Sequence, residues 1–211
     1  MPETKNLKSI AEIYKSDKIE HQYIKVYESY FEKIRDKNLK ILEIGIADGK
    51  SLLTWSDYFK NSIIVGIDIH KINIVEKKLN RNNIEVHQGS QSDQTFIQQI
   101  ISKYKEFDII IDDGSHNLKD LLIGLKLFFK FVKYQGIYII EDFKHPNYYE
   151  YNNDINHIFI DEFLKNLSDK RLSLSSIFSD NEQISLMNSI EKIESYKGNL
   201  NDSDISFITK K

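Results

Sequence analysis

Residues 107–116 read FDIIIDDGSH, an apolar run that breaks at once into two acids, a glycine, a serine and a histidine. A short apolar run closed by turn residues is the pattern of a strand buried on both faces. In open α/β sheets ligands gather just beyond the carboxyl ends of the strands. The stretch therefore sets Asp112, Asp113 and His116 where the chemistry of such a sheet takes place. Twenty-eight residues after Asp113 the pattern returns as Gly136-Ile-Tyr-Ile-Ile-Glu141-Asp142. Two buried strands that both end in carboxylates point to an α/β protein, a Rossmann-like single domain with a mostly parallel sheet.

The flanking sequence extends that reading in both directions. Upstream, LKILEIGI over 39–46 reads as the first strand, and Ala47-Asp48-Gly49-Lys50 as a turn. Ser51 reads as the N-cap of a helix over 52–59. SIIVGIDI over 62–69 is a second strand ending at Asp68, followed by a charged helix over 72–81, a strand over 83–88 and a helix over 94–104. Downstream, the most apolar helix spans 118–134, with Gly136 as its C-cap and the start of the fifth strand. A loop over 144–153 leads to a helix over 154–170, and 173–179 with 184–193 reads as a closing hairpin around Asp180-Asn181. At the other end, 4–36 reads as two helices separated by the polar break Ser16-Asp17-Lys18. Strands alternating with helices imply right-handed βαβ units and helices on both faces. The division expected is an N-terminal helical extension over 1–38, the α/β domain over 39–196, and a polar, frayed tail over 197–211.

Bulk composition narrows the function. A chain of 211 residues, 40% hydrophobic and 29% charged, is an ordinary globule with room for one sizeable core. A net charge of −3 gives no electrostatic reason to expect nucleic acid or an anionic membrane as partner. Without cysteine there are no disulfides, thiolate metal sites or cysteine nucleophiles. The N-terminal MPETKNLKSI has no apolar core, and no run approaches a membrane span, so the expected location is the cytoplasm.

The turn after the first strand carries Glu43, Gly45, Gly49 and Ser51. Glycine there permits positive φ and close approach of a ligand. Asp68, 19 residues after Gly49 and at the end of the second strand, is placed to take the hydroxyls of a ribose. The alternative is a plain turn beside a solvated acid. A dinucleotide fingerprint would need a middle glycine, and position 47 is Ala. Gly45 and Gly49 are also too close together for a phosphate loop of the G-x-x-x-x-G-K type. Fewer glycines and an acid at Glu43 suit a ligand that carries a cation in place of phosphates, as S-adenosylmethionine does.

The combination E-I-G-x-x-x-G-x-S-L, G-I-D, D-D-G-S-H and I-E-D resembles class I S-adenosylmethionine-dependent methyltransferases. More narrowly, it is similar to the metal-dependent sugar O-methyltransferases of macrolide and capsular-polysaccharide pathways and to the cephalosporin hydroxylase-like group. The resemblance runs over roughly 14–195 and includes Asp17-Lys18, His21 and Tyr23, matching a D-K-x-x-H-x-Y pattern. It implies a seven-stranded sheet in the order 3-2-1-4-5-7-6 whose last strand pair is an antiparallel hairpin. It also implies S-adenosyl-L-methionine bound by the glycine turn, Asp68, Ile69, Ser90 and Gln91. Where that group often has G-D-Q-S-D, this chain has Gly89-Ser90-Gln91-Ser92-Asp93.

Side chains alternate across a strand, so Asp112 and Asp113 should point apart, one to the cofactor's ammonium and one to a metal. The resemblance assigns the metal to Asp113 with Glu141 and Asp142, which leaves Asp112 as the acid for the cofactor; the residues alone leave open which of the two adjacent aspartates takes which role. Three carboxylates without thiols suit a hard cation, Mg²⁺ first. A histidine can accept a hydroxyl proton at physiological pH, and the resemblance makes His116 that general base. From the residues alone, His116 could equally cap the following helix or ligate the metal. The acceptor, a sugar or sugar nucleotide, is expected against Lys18, His21 and Tyr23 and against Lys144, His145, Tyr148 and Tyr149. The last two tyrosines read equally well as packing residues. Homo-oligomers are common in that group, and the aromatic N-terminal helices could form the interface. A methyl-donor-binding module without turnover and an NAD-dependent oxidoreductase are the competing readings.

Overall fold

The computed structural model describes residues 5–70, 79–143, 158–200 and 203–211. Seven strands form one sheet: β1 Lys40–Ile44, β2 Ile63–Asp68, β3 Ile84–Gln88, β4 Phe107–Asp112, β5 Val132–Ile140, β6 Ile190–Lys197 and β7 Asp204–Lys210. Their order is β3-β2-β1-β4-β5-β7-β6. The first five run parallel, and β7 is antiparallel to both neighbours. The expected order and the antiparallel end are therefore borne out.

Two cores flank the sheet. One is built by α4 (Gln94–Tyr104), α5 (Leu118–Phe128), α6 (Ile160–Ser168) and α7 (Asp180–Ser189) over Leu42, Ile44, Ile110, Tyr138 and Ile140. The other is built by α1 (Leu7–Tyr14), α2 (Ile24–Phe31) and α3 (Lys50–Tyr58) over Ile41, Ile109, Ile111, Ile137 and Ile139. Period-two alternation sends successive residues of each strand to opposite layers. Local caps set the helix starts: Asp93 accepts from Thr95 and Phe96, and Asn117 from Lys119.

Several sequence expectations are corrected. The apolar helix expected over 118–134 ends at Phe128, and β5 begins at Val132. Gly136 is thus interior to β5, where a Cβ would meet the carbonyl oxygen of Asp108 at 2.8 Å. Ser51 is not an N-cap; Gly49, with φ +79°, takes that position. The hairpin expected around Asp180-Asn181 is instead the start of α7, opened by a reciprocal capping box between Ser179 and Glu182. The S-x-x-E spacing of Ser179 and Glu182 is the sequence signal of that helix start. The true hairpin is β6–β7. Residues of the tail expected to fray form β7, an interior strand with Ile205, Phe207 and Ile208 fully buried. The helix expected over 72–81 lies largely outside the described residues, as does the start of that expected over 154–170. Among the described residues no helix is long and apolar enough to cross a membrane.

Candidate active site

Strand alternation decides which acids meet. Glu43 shares the face of Ile41, and Asp113 and Glu141 continue the faces of Ile109–Ile111 and Ile137–Ile139, toward the N-terminal helices. Asp112 continues the opposite face. The two adjacent aspartates do point apart. Asp112 is wholly buried and accepts from the Tyr138 hydroxyl (2.9 Å) and from Gln91 Nε2 (3.1 and 3.2 Å). Burial pushes its carboxyl up to about 7, against the pull of the Tyr138 and Gln91 hydrogen bonds.

On the other face the N-terminal extension closes over the strand ends. Lys18 follows α1 in a short 3₁₀ turn and is almost fully buried. Its Nζ lies 2.9 Å from Asp113 Oδ2, 2.8 and 2.9 Å from the two oxygens of Glu141, and 3.6 Å from Glu43 Oε1. Burial alone would depress this ammonium; the three carboxylates outweigh it and hold it well above its ordinary range. Burial pushes Glu43 up to about 7 despite Lys18, and Glu43 also accepts from Ser51 Oγ (2.8 Å) and Trp55 Nε1 (3.2 Å). The Tyr27 hydroxyl donates to Glu141. The Tyr23 hydroxyl donates to Asp142 Oδ1 at 2.5 Å, and His21 Nδ1 stands 3.0 Å from the same oxygen. Burial would raise Asp142, but His21 and Tyr23 outweigh it and hold the carboxylate low.

A cavity of about 670 Å³ opens beyond the carboxyl ends of β1, β2 and β4. It runs from the Gly45 turn and Asp68, past Ser90 and Gln91, to Asp113, His116 and Asp142. Gly45 has φ +79°, and a Cβ there would lie 2.0 Å from the carbonyl oxygen of Asp113. Asp68 accepts from the amides of Ile46 (2.9 Å) and Ala47 (3.2 Å) through one oxygen and from that of His70 (2.8 Å) through the other, which fixes its carboxylate at the cavity edge. Ala47, His116 and Asp142 all line the cavity with positive φ, of 41°, 54° and 52°. Left-handed non-glycine residues cost on the order of 1–3 kcal/mol each and gather at functional sites.

Three side chains at the cavity form a donor set for a hard divalent cation. One ligand atom from each of Asp113, His116 and Asp142 lies within 4.8 Å of the others. His116 Nε2 stands 3.8 Å from Asp113 Oδ1. Two carboxylates at an open cavity fit Mg²⁺, which usually keeps several waters and takes one or two protein carboxylates. Glu141 faces Lys18 and Tyr27.

The sequence-derived candidates divide accordingly. Gly45, Ser51, Asp68, Ile69, Ser90, Gln91, Asp113, His116 and Asp142 line the cavity. Glu43, Gly49 and Asp112, expected at the cofactor, and Glu141, expected at the metal, do not: Glu43 is buried beneath the glycine turn, Asp112 behind Gln91 and Glu141 against Lys18, and Gly49 caps α3. Lys18, His21 and Tyr23, expected at the acceptor, are directed at the acids. Lys144, His145, Tyr148 and Tyr149 lie outside the described residues. The sequence reading missed Tyr27 and Tyr138, whose hydroxyls meet buried acids; both looked like ordinary members of apolar stripes.

The β3-β2-β1-β4-β5-β7-β6 sheet, the glycine turn after β1 and the acid ending β2 define the class I S-adenosylmethionine-dependent methyltransferase fold. In sequence the chain is similar to curated sugar O-methyltransferases of natural-product biosynthesis. It is 32% identical over 146 residues to the 8-demethyl-8-(2-methoxy-alpha-L-rhamnosyl)-tetracenomycin-C 3'-O-methyltransferase of Streptomyces olivaceus, covering 65% of this chain and 36% of that protein. It is 33% identical over 129 residues to the mycinamicin VI 2''-O-methyltransferase of Micromonospora griseorubida, covering 58% of this chain and 31% of that protein. The chain thus spans about a third of the length of these curated relatives. Among solved structures, the MycE methyltransferase of the mycinamycin pathway in complex with Mg, SAH and mycinamycin VI superposes with a TM-score of 0.77 at 24% identity, covering 98% of this chain and 55% of that chain. No family model matches the chain.

Proposed function

We propose that the protein is an S-adenosylmethionine-dependent O-methyltransferase acting on a hydroxyl of a sugar or sugar-bearing small molecule, with a divalent cation, Mg²⁺ first, as cofactor. The observation that carries this reading is the single cavity joining the glycine turn and Asp68 to Asp113, His116 and Asp142. The related proteins carry names of sugar O-methyltransferases, and the MycE complex contains Mg and SAH. Natural-product and capsular saccharides are the two acceptor sources, and neither nucleic acid nor membrane enters the proposal.

Bound together in the cavity, the methyl donor supplies an electrophilic methyl group and the cation supplies Lewis-acid polarisation of acceptor oxygens. Asp68 receives the ribose hydroxyls, and the Gly45 turn lets the main chain approach the nucleoside. Asp113 and Asp142 hold the cation, and His116 accepts the proton of the acceptor hydroxyl. Orienting the two reactants is worth up to roughly 7–11 kcal/mol, and a well-placed base adds about 10²–10⁴-fold.

Thermal unfolding with S-adenosylhomocysteine tests the cofactor half. Ligand at about 100 times its dissociation constant should add about 2.7 kcal/mol of stability. Mg²⁺ should add a second shift that Asp142→Asn removes. A panel of deoxysugar glycosides and sugar nucleotides, read by the mass gain of one methyl, tests the transfer. No shift with the nucleoside would overturn the reading.

A further inference from the structure

Asp112 is a wholly buried acid that the proposed reaction does not use. It belongs to a closed polar unit behind the cavity wall. Tyr138 donates its hydroxyl to Oδ2 (2.9 Å), and Gln91 Nε2 reaches both carboxylate oxygens (3.1 and 3.2 Å). The same Gln91 nitrogen meets the main-chain carbonyl of Asp120 at 3.3 Å. Room for the unit is left by Gly124, inside the leucine-rich α5, where a Cβ would stand 2.9 Å from Asp112 Oδ2 and 3.2 Å from Gln91 Nε2. A glycine inside a helix weakens it, and a buried acid costs desolvation, so packing alone does not account for the arrangement. Its effect falls on Gln91. An amide nitrogen only donates and a main-chain carbonyl only accepts, so both hydrogens of Nε2 are engaged away from the cavity. Gln91 is 7% exposed and lines the cavity, with Oε1 against Gly114 of the cavity wall. Among the described residues no donor meets that oxygen.

We infer that Asp112 is a positioning residue: it locks the Gln91 amide so that the nucleoside end of the cavity presents a carbonyl oxygen, an acceptor that selects a 6-aminopurine over a 6-oxopurine in the methyl donor. This rests on the methyl-donor half of the proposed function and adds the device by which the base is told apart. The place fits the base. The Gly89 amide donates to the Asp68 carbonyl at 2.8 Å, so residues 89–91 adjoin the acid that receives the ribose. The neighbouring hydroxyls do not discriminate. Ser90 and Ser92 share a hydrogen bond of 2.9 Å, and a hydroxyl donates or accepts as its partner requires. A locked amide has one polarity. The exocyclic amine of adenine donates to Oε1, whereas the 6-oxygen of hypoxanthine faces it as a second acceptor and leaves both unpaired. Asp112 acts through Gln91 and touches neither the methyl donor nor the acceptor.

Calorimetric titration of the full chain with S-adenosylhomocysteine and with S-inosylhomocysteine reads this preference without turnover. The two ligands differ at the purine 6-position and the adjoining N1 proton. Wild type is expected to bind the adenosyl compound at least about tenfold more tightly. Gln91→Met removes the acceptor and should bring the ratio below about threefold, chiefly through lost adenosyl affinity. Asp112→Leu removes the anchor behind the wall and should lower the ratio by at least about threefold, although residue 112 never meets the ligand. A merely structural role for Asp112 would weaken both nucleosides alike and leave the ratio where it was. Where Asp112→Leu does not fold, Gly124→Ala decides, because its Cβ crowds the same pair from α5 and should lower the ratio in the same way. An unchanged ratio in Gln91→Met, in folded Asp112→Leu, or in Gly124→Ala where Asp112→Leu fails to fold overturns the inference. Wild type that binds both compounds equally well overturns it too and leaves the methyl-donor reading standing. Wild type that binds neither overturns both.

Discussion

Gly45 and Asp113 close the floor of the cavity against each other: a Cβ on Gly45 would stand 2.0 Å from the Asp113 carbonyl oxygen. The obstacle is main chain, so no side-chain rotation relieves it, and φ at Gly45 is +79°. Gly45→Ala is therefore expected to destabilise by more than the roughly 1 kcal/mol of an ordinary glycine replacement and to abolish S-adenosylhomocysteine binding. Gly49 shares the positive φ, but its Cβ would meet only the flexible Leu79 side chain, at 2.9 Å. Gly49→Ala should bind the nucleoside more weakly than wild type and more strongly than Gly45→Ala. Calorimetric titration of both variants checks the order, and a Gly45→Ala protein with unchanged affinity would refute it.

Asp112 makes a pH prediction with a definite sign. Its folded-state carboxyl is raised to about 7 by burial, against an ordinary value of 3.8. Between those two values the folded protein holds a proton that the unfolded chain has released, so stability falls as pH rises through that window. The contribution is fully present below about pH 4 and gone above about pH 7, and its size is a few kcal/mol. Asp112→Asn cannot ionise. The variant should gain on wild type steadily from pH 4 to pH 8 in urea unfolding, and a constant difference across that range would count against a raised carboxyl.

His116 distinguishes base from ligand. In His116→Gln the turnover number should fall about 10²–10⁴-fold. Mn²⁺ and S-adenosylhomocysteine affinities should stay within about threefold of wild type. A tenfold loss of Mn²⁺ affinity would make the imidazole a ligand, and intact turnover would end the base assignment.

Phe207 tests the status of β7. It is fully buried, stacks on Tyr30 with ring centroids 4.0 Å apart at 6°, and meets Tyr27 edge-on at 5.6 Å. Phe207→Ala should cost about 3–5 kcal/mol and lower the melting temperature by roughly 10 °C. A frayed terminus would register almost nothing.

The misreading of that terminus has a physical cause. DISFITK is a short alternating segment set among Gly, Asn, Asp and Ser, and turn residues outvoted four apolar-compatible positions. Whether such a segment pairs depends on an open slot between β5 and β6, which local sequence does not encode. By contrast β4 and the second half of β5, from Ile137 to Ile140, are Ile-rich runs whose burial on both faces follows from composition alone. Likewise Gly45 and Asp68 were legible because a turn's need for positive φ and a strand's end are local properties. The role of Lys18 was not: the sequence marks it out only as a polar residue at the acceptor, and its surroundings alone make it a core residue paired with Glu141 and Asp113.

The sequence by itself thus determined the α/β class, the β1–β5 strands, and the delivery of Asp113, Glu141 and Asp142 to one end of the sheet, because hydrophobic period and turn chemistry are written residue by residue. The tertiary structure alone decided which charges meet. Lys18 is 95 residues from Asp113 and 123 from Glu141 along the chain. Their pairing follows from folding the N-terminal helices over one face of a sheet whose alternation had already chosen the acids on that face. Electrostatic partnership is a matter of distance and dielectric in space, and neither exists until the layers have packed.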